Sequence, residues 1–455
     1  MPITSFNPAT GQPIQSYTAH TSQQVQEKIT QTQEAWLTWR FTPMDTRTEK
    51  LLQLATVLRS RKQELATLMA QEMGKPVKQG LAEVEKCARC CEYYAAHAVI
   101  HLQDQLISTE ASKSYVSFQP LGIVLAIMPW NFPLWQVIRF LAPALSAGNA
   151  ALLKHASNVP GCAIAIEEMV NEAGFPTHLF QTLLISSKEV NAVLEHPKVM
   201  AATLTGSSPA GKQVAQKAGS LLKKVVLELG GSDPYIILAD ADLEAAAEAC
   251  VNSRLINSGQ SCIAAKRFIV EAPVAEKFTQ LLLEKMKAKK MGDPLEETTD
   301  VGPQARADLR DELHEQVSKS IQKGARCLLG GEIPEGNHAF YPPTLLTNVQ
   351  PGMPAYEEEL FGPVAAIITA TDEAEAIKIA NDTEFGLGSA IFTSDLEKGE
   401  RIARNELQSG SSFVNQLVQS DSRLPFGGIK TSGFGRELGM FGMHEFVNIK
   451  TVSIK

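Results

Sequence analysis

From about residue 120 the chain alternates short apolar runs with longer stretches of helical spacing, and nothing else in it restricts the possible folds so tightly. GIVLAIMP, ALLKH, FQTLLIS and MAATLTG each read as a short buried strand followed by a helix. Two parallel strands need a crossover of a dozen residues or more, usually helical, so this rhythm predicts an α/β chain built on parallel sheet. KKVVLELGGSDPYIILAD then leads into a second α/β region that ends near PFGGIK, with Gly230–Gly231 and Gly427–Gly428 as candidate joints. A length of 455 residues suits two or three domains.

Upstream, residues 45 to 73 carry Leu51, Leu54, Leu58, Leu65, Leu68 and Met69 at helical spacing, which predicts one long helix. Asp45 is its expected N-cap, and Gly74 with Pro76 its stop. SKSYVSFQ and the tail VNIKTVSIK alternate with period two and read as exposed strands with no evident partner. Exposed edges pair with other chains, so a homo-oligomer, dimer or tetramer, is expected.

Lys plus Arg total 42 against 50 for Asp plus Glu, a net charge of −8, which gives no electrostatic footprint for nucleic acid or an anionic membrane. No apolar run approaches the length of a bilayer span, and the N-terminus lacks the basic-then-apolar pattern of a secretory leader. Seven cysteines are too few for a disulfide scaffold and odd in number, so a reducing, cytoplasmic setting is expected.

Three side chains stand out chemically. Cys262, in NSGQSC, follows a small polar loop that suits a nucleophile, although a buried inert thiol fits the same pattern. Glu228, in VVLELGG, ends an apolar strand just before a glycine pair. Burial there makes it a candidate general base, and an ion pair at a domain joint is the plainer alternative. Asn131, in MPWNFP, precedes a helix that Pro133 can open; its amide can cap that helix or donate to an oxyanion. TLTGSSPAGKQV puts Gly206 and Gly211 at a strand-to-helix turn of the kind that attracts phosphate. Lys154, ending ALLK, is a surface lysine or a ribose or phosphate ligand. Cys87, Cys90 and Cys91 in CARCC lack a second ligand pair and read as cysteines of a helix rather than a metal site.

MPWNFP, LELGG, GQSC, EELFGPV and PFGGIKTSGFGRE, in this order and at these spacings, resemble the aldehyde dehydrogenase superfamily over essentially the whole chain. The resemblance implies a Rossmann-type cofactor domain, an α/β catalytic domain and a small β oligomerisation element. The expected division is 1–101 and 121–230 for the cofactor domain, 231–424 for the catalytic domain, 102–120 and 441–455 for oligomerisation, and 425–440 for a return to the cofactor domain.

It also implies roles. Cys262 attacks the aldehyde, Asn131 and the Cys262 backbone N–H hold the oxyanion, and Glu228 activates the water that hydrolyses the thioester. Met128, Pro129, Trp130, Lys154, Ser157, Gly206, Ser207, Glu359 and Phe361 are the implied cofactor residues. Many NAD-using relatives have a glutamate at the position of Ser157, and a carboxylate there repels a 2′-phosphate. Ser157 beside Lys154 therefore predicts NADP preferred and NAD weaker.

NFPLWQVIR and SDSR are similar to a bacterial branch of succinate-semialdehyde dehydrogenases. Trp135 and Arg139, four apart on one helix face, and Ser420 are the implied substrate residues. Arg139 is expected to hold a distal carboxylate. Relatives of that type have a second arginine where this chain has Ile256. Arg254 is shifted by two, about 200° around a helix, so glutarate semialdehyde stays open as a substrate. Ala264 stands where some relatives have a second, resolving cysteine. A cofactor-independent thiol esterase would need Cys262 and Glu228 but not Glu359, Lys154 or the glycine turn.

Overall fold

The computed structural model describes residues 2–336 and 338–455. Two large sheets organise it. The first runs Gly433–Phe434, Lys224–Glu228, Val199–Thr205, Ile123–Met128, Ala150–His155 and Phe180–Thr182. All its strands are parallel except Gly433–Phe434, which returns antiparallel against Lys224–Glu228. Ala150–His155 is buried at every position, as expected of a strand covered by helices on both faces.

The second sheet runs Arg326–Leu329, Thr344–Thr347, Val364–Ala370, Arg267–Glu271, Pro234–Ile237, Gly388–Phe392 and Ser411–Val414. Only the first pair in it is antiparallel. Its strands feed two separate cores by strict alternation. Ile236, Ile269 and Leu346 face one side. Tyr235, Ile237, Phe268, Val270 and Leu345 face the other. Gly230–Gly231 lies where the chain leaves the first sheet for the second, and Gly427–Gly428 where it returns.

The helix expected over 45–73 is two helices, Met44–Ser60 and Lys62–Met73. Arg61 leaves the helical backbone (φ −98°, ψ 11°) and ion-pairs with Glu64 and with Glu168 of the Pro160–Glu172 helix. The break lets both segments pack on one long helix, Val77–His101. Asp45 lies in the first turn behind Pro43, while Gly74 ends the second helix in the left-handed region (φ 78°). Cys87, Cys90 and Cys91 lie buried in Val77–His101.

The two alternating pieces find each other. Val447–Ile454 pairs antiparallel with Lys113–Pro120 along its whole length, from Val447 opposite Pro120 to Ile454 opposite Lys113. Gln105–Ile107 completes a three-stranded sheet. Sequence order hid this pairing because more than three hundred residues separate the partners. Among the described residues no helix is long and apolar enough to cross a membrane.

Candidate active site

In the first sheet the chain goes from Ile123–Met128 to a neighbour on one side, Ala150–His155, and later to a neighbour on the other, Val199–Thr205. At such a switch point the two connections diverge and leave a crevice beyond the carboxyl ends of the strands, where ligands of open parallel sheets bind. A cavity of about 420 Å³ lies there. Pro129, Trp130 and Asn131 enter it from one strand end, Gly206 and Ser207 from the other. Glu359, Phe361 and Cys262 reach it from the side of the second sheet. Trp130 and Phe361 meet edge to face, centroids 5.7 Å apart.

A dinucleotide fits this crevice. The Ser208–Ser220 helix opens on it, and the Ser207 side chain makes no capping bond, so the first N–H groups and the positive end of the helix dipole face the cavity. Gly211, expected at the phosphate turn, lies inside the helix instead. A Cβ there would meet Leu229 at 2.6 Å, so this glycine serves helix-to-strand packing. Glu359 is held by the Gly231 N–H at 3.1 Å and by Lys266 at 3.2 Å, leaving it at the cavity wall.

Three expected cofactor residues stand outside this cavity. Lys154 lies next to Ile127, and Met128 next to His155, in the strand register. Met128 is buried and can offer only its backbone. Ser157 is exposed in the turn after Ala150–His155. Met128 ends the strand that Pro129 follows, and Lys154 and Ser157 lie at the end of its neighbour, at the same edge of the sheet. Burial holds the Lys154 ammonium below the usual lysine range.

Cys262 follows a short turn in which Asn257 and Ser258 take the left-handed conformation (φ 50° and 56°). Gly259 continues it at φ 77° against the Gly362 carbonyl, where no Cβ has room. Arg254, fully buried, donates to the Gly259 carbonyl at 2.6 Å and braces this turn. Its shift by two from the position of Ile256 thus takes it out of a smaller cavity beyond Cys262, which Ile256 lines. The half-buried sulfur of Cys262 has its pKa pushed up to about 12 by burial, with Arg139 and Lys266 opposing. The thiol is therefore protonated at neutral pH in the absence of ligands.

Asn131 does not cap the following helix. That role belongs to Glu83 of the Val77–His101 helix, whose carboxylate accepts from the N–H groups of Leu134 and Trp135 at 2.9 Å each. The Asn131 amide instead donates to the Gln260 carbonyl at 3.1 Å, and its backbone carbonyl accepts from Asn257 at 2.6 Å. One amide N–H remains, in the cavity that Cys262 also lines, and the Cys262 backbone N–H donates to no acceptor among the described residues. Two free donors near one sulfur can hold an oxyanion.

Glu228 ends its strand buried, with no hydrogen-bond partner on either carboxyl oxygen. It lines neither cavity that Cys262 lines. Its Oε1 lies 2.6 Å from where a Cβ on Gly427 would stand, so the carboxyl occupies space that glycine leaves open. Burial, then the neighbouring Glu437, raises its pKa well above the usual carboxylate value. Glu437 has Arg139 as an ion-pair partner and Glu228 has none, so Glu228 is the one that holds a proton.

A second cavity of about 160 Å³ shares only Cys262 with the first. Trp135, Arg139 and Ser420 line it, and so does Lys86, which sequence reasoning missed. Arg139, expected to hold a distal carboxylate, meets one from this chain. It is buried in an ion pair with Glu437, donates to Thr205 at 3.1 Å and lies 5.0 Å from the Phe426 ring. Helix spacing gave the face of Arg139 correctly but could not show a partner from the far end of the chain. Glu437, in GFGRE, carried no local signal for it.

The chain matches the Aldehyde dehydrogenase family over residues 1–452. It is 50% identical over 454 residues to a Synechocystis protein named "Probable succinate-semialdehyde dehydrogenase (NADP+)", covering 100% of each chain. It is 47% identical to the succinate semialdehyde dehydrogenase Sad of Escherichia coli K12, named for NAD(P)+, over 98% of this chain and 97% of that one. The crystal structure of succinic semialdehyde dehydrogenase from Streptococcus pyogenes in complex with NADP+ superimposes with a TM-score of 0.97 at 36% identity, over 99% of each chain.

Proposed function

This chain belongs to the aldehyde dehydrogenase family, and on that premise we propose that it oxidises succinate semialdehyde to succinate with NADP as the preferred electron acceptor. The reaction consumes aldehyde, NADP+ and water and yields the carboxylate, NADPH and two protons. The observation that carries it is the position of Cys262, the one side chain common to the two cavities, with two unused N–H donors beside it.

Bound in the larger cavity, NADP supplies the acceptor for two electrons and a proton from the aldehyde carbon. The chain's own residues do the rest. The Cys262 thiol releases its proton to solvent as its sulfur adds to the carbonyl carbon, and the oxygen takes up charge against the Asn131 amide and the Cys262 N–H. Loss of the carbonyl hydrogen leaves a thioester on Cys262. Water then adds to that thioester; Glu228, having first released its own proton to solvent, accepts the water's proton, and the C–S bond breaks with the electron pair returning to sulfur. Glu228 must rotate from its seat against Gly427 to do so, and no hydrogen bond of its own holds it there.

NADP preference rests on Lys154 and Ser157, a cation and a hydroxyl at one strand end with no acidic residue among positions 154–157. The test measures kcat/KM for NADP and NAD with succinate semialdehyde, glutarate semialdehyde and butanal, in the wild type and in Ser157→Glu. The wild type is expected to favour succinate semialdehyde and NADP. Ser157→Glu is expected to lose roughly 100-fold with NADP, because like charges brought together cost several kcal/mol, and to keep its NAD activity. A wild type that favours NAD would remove the argument from charge.

The three-stranded sheet supports a homo-oligomer. It leaves Leu106, Ile107, Ile449 and Ile454 exposed, and Val447–Ile454 is an edge strand. Light scattering should report a dimer or a tetramer; the mass of one protomer would refute this. A half-buried nucleophile that must stay a thiol suits a reducing compartment such as the cytoplasm.

A further inference from the structure

One buried lysine stands behind the nucleophile and lines neither cavity that Cys262 lines. Lys266 immediately precedes the Arg267–Glu271 strand, and its backbone is fixed there. Its N–H donates to the Asp233 carbonyl at 3.1 Å, and its carbonyl accepts from the Ala366 N–H at 3.2 Å. From this base the side chain, 1% exposed, folds back to the turn that precedes it. Its ammonium donates to the Ser261 carbonyl at 3.0 Å and to the Cys262 carbonyl at 2.7 Å, and it meets Glu359 Oε1 at 3.2 Å. An ammonium has three N–H groups, and these three acceptors use them all. The cost of taking a cation out of water is offset only by well-placed partners, and all three partners here belong to the active site.

The Ser261 carbonyl shares a peptide plane with the Cys262 N–H. No described peptide bond is cis, so the two groups point in opposite directions. A grip on that carbonyl therefore aims the N–H, which is one of the two donors available to the oxyanion. The Ala264 N–H also reaches the Ser261 carbonyl, at 3.2 Å, but it belongs to the same turn and moves with it. Glu359 uses one oxygen, Oε1, for both Lys266 and the Gly231 N–H, and stands at the wall of the larger cavity.

We propose that Lys266 is a positioning residue for the oxidation: it fixes the Ser261–Cys262 peptide so that the Cys262 N–H faces the oxyanion, and Glu359 holds the ammonium in place. This inference rests on the reading of Cys262 as the nucleophile of an aldehyde dehydrogenase. Lys266 thereby joins the wall of the dinucleotide cavity to an oxyanion donor through one ammonium.

The same charge acts on the sulfur. Besides Lys266, the charged groups that face Cys262 are Arg139 on the Trp135–Ser146 helix, Glu359 on the loop before the Val364–Ala370 strand, and Asp233 just before the Pro234–Ile237 strand. The two cations oppose the rise that burial imposes on the thiol, so loss of Lys266 moves its ionisation to higher pH.

The test compares Lys266→Met with the wild type in two measurements. In turnover with NADP, kcat is expected to fall roughly 10²- to 10³-fold, the scale of one lost oxyanion donor, with KM for the aldehyde little changed. Succinate semialdehyde and butanal should lose equally, because the reacting carbonyl is common to both. In the unliganded protein, alkylation of Cys262 by iodoacetamide, followed by peptide mass spectrometry, should be roughly tenfold slower at each pH between about 7 and about 10. Lys266→Met leaves Glu359 without its cation, so the same comparison is made in a Glu359→Gln background, where no carboxylate is stranded. There Lys266→Met should lower kcat and alkylation by similar factors. A loss confined to KM, or an alkylation profile that moves in neither background, would overturn the assignment. A wild type that oxidises neither aldehyde would remove the functional reading itself. A wild type that oxidises them, matched by Lys266→Met, would remove only the role of Lys266.

Discussion

Replacing Cys262 with alanine should stop NADPH formation. The rate is expected to drop by roughly 10⁴-fold or more, the scale on which enzymes respond to loss of a covalent nucleophile. Binding of the dinucleotide should survive. The larger cavity draws its walls from two strand ends, a helix start and the Glu359–Phe361 loop, and Cys262 contributes to it only where it meets the smaller one. The fold should survive as well, because the side chain is half-buried and the turn that carries it is braced by Arg254 and Gly259 rather than by the sulfur. Stopped-flow absorbance of NADPH and a fluorescence titration of the variant with NADP separate the two effects. Persistent turnover in Cys262→Ala would rule out acylation of this sulfur as the route to the acid.

Glu228→Gln should divide the reaction at its midpoint. If the carboxylate serves only hydrolysis, the first turnover still occurs and the thioester then waits, so NADPH appears as a burst of about one per active site followed by a rate lower by roughly 10²- to 10⁴-fold. The same substitution should alter stability with a definite sign. Burial raises the pKa of Glu228 in the folded protein above its ordinary value of 4.5. Above about pH 4.5 the unfolded chain releases a proton that the folded chain retains, so the wild type loses stability as the pH rises, until the folded carboxyl also ionises. A neutral amide at this position has no such titration. The melting temperature of the variant should therefore gain on that of the wild type as the pH rises above about 4.5. A variant without a burst would place the base elsewhere. Parallel melting curves would mean that Glu228 does not carry a proton in the folded protein.

The parts of this molecule that were legible in the sequence are those whose cause is local. Alternation of apolar runs and helical stretches follows from burial on both faces of a parallel strand, and it located Ile123–Met128, Ala150–His155 and Val199–Thr205 before their order was known. Trp130, Gly206, Glu359 and Phe361 were found through motifs, and all four line one crevice. What stayed hidden depends on partners remote in the chain. Glu83 caps the helix that follows Asn131, Glu437 takes up the charge of Arg139, and Arg254 grips the turn before Cys262. Lys86, next to CARCC, has no local signal either, because its partner Ser420 lies at the other end of the chain. The strand pairing of 113–120 with 447–454 was missed for the same reason as the Glu437 contact: period-two patterning says that a strand exists and nothing about its neighbour.

Two chambers that share a single side chain can hold cargo and electron carrier at once, on either side of Cys262. A blocker shaped to the smaller chamber would then compete with aldehyde alone and leave the nucleotide free to come and go, which makes that chamber the place where this protein can be inhibited without disturbing the many others that bind the same coenzyme.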